Sequence, residues 1–478
     1  MSVLDDDSPL DRLNSQRRDK ASEYEAKKQS LLVKHNREVV DHLLSTNLTR
    51  PIRITKVHVV NAEMLRDTFL ETQLAPLLNN ERLDLHGLLK NLDLTTSNFA
   101  RTSTISNIGA ILEVDPTPSF ATVPPSTLRI IPVIQLDPIK RFNMKIGTNV
   151  GNGEGDGYLS LQYRNIFGGG ESISFDTNMA SNNLNSTSRS TYLLNFQSPI
   201  LNNANWLGSI MGYHSSKLVD WTTRNDQTIE GITLKSISQY KSPWNYEFSL
   251  ENTLRSIDLL STNSLNDTLL MNAGDSFKSS FNFTCKYDTR DDSILPTKGF
   301  HSGGSIELSN LLPSLNFQES KFIKLTSHFQ HAFSFNKIIF NGLFKFGYIQ
   351  SLNHSNVHFM DRFFIGGPND IRGFTLNGLG PKLYGSPIGG LAFYGLSASL
   401  FTPLPFVDSE SFKTHTFINA GKLISDSNLR DPSVSIGTGL VFKHPIARFE
   451  LNFVLPLSQS HFDSTRKGFQ YGVGISFM

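Results

Sequence analysis

A glycine-rich run from Asp361 to Pro381 holds one guanidinium in its tightest part. The core reads Phe363-Phe364-Ile365-Gly366-Gly367-Pro368-Asn369-Asp370-Ile371-Arg372-Gly373-Phe374. Arg372 offers a fixed fork of donors and no acceptor, so its chemistry is anchoring by hydrogen bonds. A second charged group is Asp288-Thr289-Arg290-Asp291-Asp292, ahead of Pro296-Thr297-Lys298-Gly299. Its carboxylates could hold a cation; the reading preferred here is a charged turn at a membrane rim. The remaining inventory is poor in chemistry. The 13 histidines are scattered without metal-ligand spacing, and Cys285 is the single cysteine. That excludes a disulfide framework and a cysteine metal cluster. No Gly-Xaa-Ser-Xaa-Gly elbow is present. The chain is expected to be no enzyme and to need no cofactor and no metal.

What positions Arg372 must be a long loop, since Gly366, Gly367, Gly373, Gly378 and Gly380 break any helix or strand. Phe363, Phe364, Ile365, Ile371 and Phe374 are too apolar for a disordered segment. Two readings remain: a loop folded back onto a β-framework, or a surface hairpin with an exposed arginine. The flanks alternate in period two. Phe277, Phe281, Phe283 and Tyr287 share one face, with Lys278, Asn282 and Lys286 on the other. Trp244, Tyr246, Phe248 and Leu250 oppose Asn245, Glu247, Ser249 and Glu251 in the same way. About ten residues of such alternation span a membrane as a tilted strand. Sixteen segments are expected, at 142–149, 156–166, 170–181, 187–197, 204–214, 228–239, 243–253, 277–287, 299–308, 321–333, 336–348, 389–401, 411–421, 432–443, 446–455 and 468–477. Apolar faces ending in Tyr163, Trp244, Tyr287, Tyr348, Tyr394 and Tyr471 favour a transmembrane barrel over a sandwich or propeller.

Composition agrees. There are 44 basic and 43 acidic side chains among 478 residues, which gives no electrostatic case for nucleic acid. Mean hydropathy is −0.22, and no apolar run reaches the length of a membrane helix. The acidic start, Met1 to Asp7, has neither a secretory signal nor the arginine-rich character of a mitochondrial presequence. Residues 1–50 read as a charged helical or partly disordered extension. Residues 51–137 read as a small α+β domain of order β-α-α-β-β, with strands over 52–60, 105–114 and 128–136. Its exposed sheet edge suits peptide capture; a spacer role is the alternative. Residues 138–478 read as the barrel, with one long loop over 349–388.

These motifs carry a family resemblance. Phe363 to Phe374, with its Ile-Arg-Gly-Phe, resembles the signature loop of the POTRA-plus-barrel outer-membrane insertase superfamily, a loop that folds into the lumen. Tyr287 to Gly299 resembles a second hallmark, and residues 52–135 match a POTRA domain in order and size. With Gly147-Thr148-Asn149-Val150-Gly151 and Arg164-Asn165-Ile166-Phe167-Gly168-Gly169, the chain resembles the mitochondrial branch, which belongs to a sorting and assembly machinery. The resemblance implies a membrane all-β fold, a sixteen-stranded barrel with one POTRA domain and the 349–388 loop folded inward. It implies an insertase for β-barrel precursors in the mitochondrial outer membrane, with the POTRA domain in the intermembrane space. Implied partners are the precursors, membrane lipids, accessory subunits on the cytosolic face, intermembrane-space chaperones and a cristae-organising complex. A passive pore, or a plastid-type relative for protein translocation, is the alternative.

The resemblance also assigns residues. Gly366, Gly367, Ile371, Arg372, Gly373 and Phe374 form the lumen-loop motif. The family's acidic partners of the loop arginine fall on Ser399 and Asn419, so Arg372 is expected to rest on neutral hydrogen bonds and water. A lateral gate is expected between the first and last strands. Its residues are Phe142, Met144, Lys145, Ile146 and Gly147 on one side. On the other are Gln470, Tyr471, Gly472, Val473, Gly474, Ile475 and Phe477. The last strand resembles the β-signal of mitochondrial barrel precursors.

Overall fold

The computed structural model describes residues 45–474 and, before them, 28, 34–35, 38–39 and 42. Within that span it leaves out 80–81, 103, 117–126, 152–153, 182–188, 220, 223, 241, 261–266, 311–319, 354–355, 405–410, 425–430 and 446. Most of the expected N-terminal extension, and Ile475 and Phe477, lie outside the described residues. The chain divides into two compact units. One takes Met1–Glu63, Leu70–Ala100 and Ile105–Pro138; the other takes Met64–Phe69, Arg101–Thr104 and Ile139–Met478.

The first unit has an α+β core. Its elements are β1 (Pro51–Ile54), β2 (His58–Val60), α1 (Asp67–Leu78), β3 (Arg82–Asp84), α2 (Leu85–Arg101), β4 (Ile105–Val114) and β5 (Leu128–Pro138). The strand expected over 52–60 is two strands, both parallel to β5. Ile54 pairs Ile130 but His58 pairs Val133, so one extra residue is accommodated between them, as in a bulge. β3 adds antiparallel to β1, and β4 to the other side of β5. Leu88, Leu92, Thr95 and Phe99 recur at helical spacing and form the buried stripe of α2. This mixed sheet with two helices fits a POTRA domain.

The second unit is a sixteen-stranded antiparallel sheet. Its strands are β6 (Phe142–Gly151), β7 (Glu154–Arg164), β8 (Ser172–Ser181), β9 (Arg189–Pro199), β10 (Trp206–Val219), β11 (Asn225–Ser238), β12 (Trp244–Leu259) and β13 (Gly274–Asp288). Then follow β14 (Gly299–Ser309), β15 (Phe322–Phe335) and β16 (Ile338–Ser351). A small hairpin comes next, β17 (Lys382–Leu383) and β18 (Ser386–Pro387). The sheet resumes with β19 (Ala392–Pro403), β20 (Phe412–Ile424), β21 (Ser433–Lys443), β22 (Arg448–Ser458) and β23 (Gly468–Gly474). Each of the sixteen expected segments holds one of these strands. Neighbours in the sheet follow one another along the chain except that the β17–β18 hairpin intervenes between β16 and β19, and among the described residues no ladder joins β6 to β23.

The sheet is inside-out by the standards of a water-soluble protein. On β22, Arg448, Glu450 and Asn452 are buried, while Phe449, Leu451, Phe453 and Leu455 are exposed. On β12, Leu250 is 50% exposed and Trp244 46%, whereas Arg255 is buried. In water, exposing the apolar face and burying the charged one is unfavourable on both counts. Against lipid the same pattern is favourable, because the strands pair their backbone groups with their neighbours in the sheet. Trp206 Nε1 donates to Tyr240 Oη at 2.9 Å, and Trp244 packs on Tyr287 at a centroid distance of 4.8 Å. These amphipathic rings suit a lipid headgroup zone.

Candidate functional site

The segment from β16 to β19 is held by the buried face of the sheet at two separate places. Its first anchor is the 3-10 turn Phe359–Asp361. The Asp361 carboxylate meets Arg255 of β12 at 2.9 Å and Lys278 of β13 at 2.7 Å. The Asp361 carbonyl accepts from Lys324 of β15 at 2.9 Å. Burial works against a charged Asp361, but the Lys278 and Arg255 charges outweigh it and hold its pKa well below the usual carboxylate range. Phe359 packs with Ile257 and Leu269, and its ring lies 5.1 Å from that of Phe364.

His358 caps this turn: its Nδ1 accepts from the Met360 N–H at 3.3 Å, which requires an unprotonated nitrogen. Burial, aided by the Arg255 charge, pushes its pKa down to about 4. Its ordinary value is about 6.5, so between these limits the unfolded turn binds more protons than the folded one. The His358 contribution is therefore full above about pH 6.5 and is lost as pH falls through about 4. Hydrogen exchange of residues 356–362 is expected to stay slow at pH 7.5 and, corrected for intrinsic rate, to lose protection progressively below pH 6. Protection unchanged down to pH 4 would contradict this.

The second anchor is Arg372. Its side chain is 0% exposed and that of Glu450, on β22, is 1%. Arg372 Nε donates to Glu450 Oε2 at 3.0 Å, and Nη2 lies 2.8 Å from the same oxygen. Arg448 pairs with the other carboxylate oxygen. The Arg372 guanidinium sits 4.7 Å from the ring centre of Phe417, and Arg448 lies 4.9 Å from that of Phe401. Asn452 Nδ2 donates to Glu450 at 2.7 Å. Two guanidiniums thus share one buried carboxylate between aromatic faces.

The backbone around Arg372 is equally fixed. The Arg372 carbonyl accepts from Ser435 Oγ at 2.5 Å. The next residue must be glycine: Gly373 has φ 90°, and an added Cβ would stand 2.9 Å from Ser435 Cβ and 3.1 Å from Val454 Cγ1. Gly366 and Gly367 form the preceding bend, where Gly366 N donates to the Asp370 carboxylate at 3.0 Å. Ile371 and Phe374 join Phe322, Leu343, Ile349 and Leu423 of the wall in one apolar cluster. Because β12, β13, β15, β16 and β20 to β22 all touch this segment, the sheet curves around it.

The tip also reaches the last strand. Gly373 N donates to Gln470 Oε1 at 3.0 Å, and Asn369 Nδ2 donates to the Val473 carbonyl at 3.1 Å. Beside it, Thr375 N donates to the Ser464 carbonyl at 3.0 Å and Arg466 N to the Gly373 carbonyl at 2.8 Å. The β22–β23 connection is therefore paired to the loop.

These contacts settle several expectations. The surface hairpin with an exposed arginine is overturned, since Arg372 is fully buried. The expectation of purely neutral partners is corrected by Glu450. Ser399 faces His415 Nε2 at 3.1 Å, and Asn419, fully buried, accepts from Ser397 at 2.9 Å. His415 in turn lies 4.0 Å from Glu450, so Ser399 reaches the ion pair through His415. Of the gate residues, Gln470 and Val473 meet the loop. Phe142, Met144 and Ile146 present exposed side chains along β6, as do Tyr471 and Val473 along β23. Lys145 is exposed as well, Gly147 lies against the Tyr158 ring, and Gly472 is buried. Glu450, Arg448 and Asp361 were missed. Arg448-Phe449-Glu450-Leu451-Asn452 alternates charge with apolar residues near the end of the chain, which is the signal that marks a lumen-facing cluster.

Comparison with known proteins fits this geometry. Residues 165–477 match the Omp85 superfamily domain. The SAM50-like protein of Schizosaccharomyces pombe is 31% identical over 461 residues, covering 92% of this chain and 94% of that one. The sorting assembly machinery 50 kDa subunit of Saccharomyces cerevisiae is 28% identical, covering 90% and 95%. Among solved structures, BamA from Haemophilus ducreyi lacking POTRA domains 1–3 superposes with a TM-score of 0.68 at 16% identity, over 88% of this chain and 84% of that one. That likeness concerns the fold.

Proposed function

The chain belongs to the Omp85 superfamily and to its SAM50 branch, and from that premise we propose that it folds β-barrel precursors and inserts them into the mitochondrial outer membrane. The observation that carries this reading is the buried Arg372–Glu450 loop, tied at its tip to the last strand of a sheet whose first and last strands are not paired with each other among the described residues. A strand entering lipid must have its backbone paired. An edge of β6 freed from β23 offers such pairing, and the precursor strand exchanges water for that edge. No covalent step is involved. The cited relatives carry SAM50 and sorting assembly machinery names, and neither is a plastid protein.

The same reading places the N-terminal unit in the intermembrane space. It gives the barrel accessory subunits on the cytosolic face, and intermembrane-space chaperones and a cristae-organising complex as further contacts. Depleting the chain should leave imported β-barrel precursors unassembled, while helix-anchored outer-membrane proteins insert normally. Undiminished barrel assembly after depletion would overturn the proposal. Deleting residues 52–135 is expected to slow assembly severalfold without abolishing it, a milder effect than damage at Glu450. One such domain gives little room for a relay. Complete loss of insertion with the barrel intact would reverse this ranking.

A further inference from the structure

The turn between β13 and β14, residues 289–298, does not sit at the rim as a solvated charged turn. It folds inward. Leu295 is 1% exposed and belongs to one buried apolar cluster with Ile339 of β16, Phe401 of β19 and Val441 of β21. Asp292 pairs with Lys443 at the end of β21. In the sheet, β15, β16, β19 and β20 lie between β14 and β21. A turn that followed the wall could not reach Lys443; it crosses the concave side of the sheet.

The turn is rigid by construction. Asp288 holds Arg290 through two nitrogens, Nε at 2.9 Å and Nη2 at 2.7 Å. Arg290 Nη1 donates to Gln330 of β15 at 2.7 Å. Asp291 accepts from the Thr297 N–H at 2.9 Å and the Lys298 N–H at 3.2 Å. Asp292 Oδ1 accepts from the Ile294 N–H at 2.7 Å, which sets the backbone that presents Leu295. The carboxylates of this turn are thus engaged within the protein.

By the strand registers, this turn lies at the Asp288 end of the sheet, opposite the Ser351 end from which the Arg372 loop departs. The two inward elements converge on one stack. Leu295 shares its apolar cluster with Phe401; Phe401 stacks on His415 at 4.5 Å and lies beneath the Arg448 guanidinium; Arg448 pairs with Glu450; Glu450 holds Arg372. We propose that the 289–298 turn is a second inward brace whose Leu295, fixed by Asp292 and Lys443, positions the Arg448–Glu450 platform on which Arg372 is seated. Leu295 and Asp292 are positioning residues for the loop. The inference rests on the insertase reading only for its consequence in assembly, not for its geometry.

The test uses the full chain with Cys285→Ser and Ser435→Cys as reporter, since Ser435 is 0% exposed beneath the Arg372 carbonyl. Maleimide labelling at position 435 reads whether the loop is seated, and it needs no precursor. Leu295→Ser and Asp292→Asn are each expected to raise the labelling rate at least tenfold. Leu295→Met should keep it low, and so should the outward-facing Leu250→Ala. Asp292→Lys should label fast, and adding Lys443→Asp should restore protection. Heat-modifiable migration checks that each variant is folded. A folded Leu295→Ser or Asp292→Lys protein that labels at the reporter's own rate would overturn the brace. Fast labelling with unchanged precursor assembly would leave the brace standing and count against the loop's part in insertion.

Discussion

Glu450→Gln is expected to impair barrel assembly more than Arg372→Ala. The reason is charge arithmetic in a buried site. Glu450 neutralises two guanidiniums, those of Arg372 and Arg448. Arg372→Ala removes one cation and leaves Glu450 paired with Arg448. Its cost is the lost charged hydrogen bonds, about 1.5–3 kcal/mol. Glu450→Gln keeps the shape and leaves two buried guanidiniums facing each other without the carboxylate they share. Removing one partner of a buried pair costs about 3–5 kcal/mol, which is a factor on the order of a hundred or more in the fraction of seated loop. Precursor binding should persist in both variants, because neither residue lies at the exposed strand edges. The check is the assembly rate of imported precursors at matched protein level, together with protease cleavage within residues 362–380. Arg372→Lys should fall between wild type and Ala, since a point charge cannot reproduce the fork. If Glu450→Gln assembles precursors at the wild-type rate while Arg372→Ala does not, the shared-carboxylate account is wrong.

The strands were legible in the sequence because each carries its own evidence. Arg448-Phe449-Glu450-Leu451-Asn452-Phe453 shows the two faces directly, and the sixteen segments need only period two. Strand ends were less legible. β12 runs to Leu259 and β13 begins at Gly274, beyond the expected 253 and 277. The added residues include Arg255 and Ile257, which serve the loop and not the lipid, so membrane alternation does not mark them. The partner of Arg372 was hidden for a related reason. Burial of a guanidinium demands a carboxylate nearby in space, but nothing local says which strand supplies it. Carrying acidic positions over from relatives pointed to β19 and β20, whereas this chain places its acid on β22. The 289–298 turn was misjudged because its charge suggested water. Its acids are spent on Arg290, Lys443 and its own backbone, and the informative residue was Leu295, an apolar side chain between them.

The seam between β6 and β23 carries the second large effect. β23 holds β22 over Gly468–Gly474 and contains Gly472 and Gly474, which contribute no side chain to cross-strand packing. A precursor's last strand would present the same backbone edge to β6. The ladders lost and gained then nearly cancel, and side-chain pairs at about 0.2–1 kcal/mol each decide the exchange. Of the two seam strands, the loop contacts β23 among the described residues, through Gln470 and the Val473 carbonyl. Opening at this seam therefore leaves β23 attached to the rest of the wall while β6 is released to pair with the client. A covalent link across the seam should stop that step without touching the loop or the N-terminal unit.

The most direct measurement is a disulfide lock in a Cys285→Ser background, with one cysteine introduced between Met144 and Ile146 and one between Tyr471 and Val473. Bond formation itself requires the two strands to come within about 4.4–6.8 Å at Cα, and the oxidised fraction is read on a non-reducing gel. The account predicts that the oxidised protein binds precursors and releases no assembled barrels, and that reductant restores assembly to the rate of the unlinked protein. Assembly at full rate by the oxidised, fully linked protein would contradict lateral opening between β6 and β23.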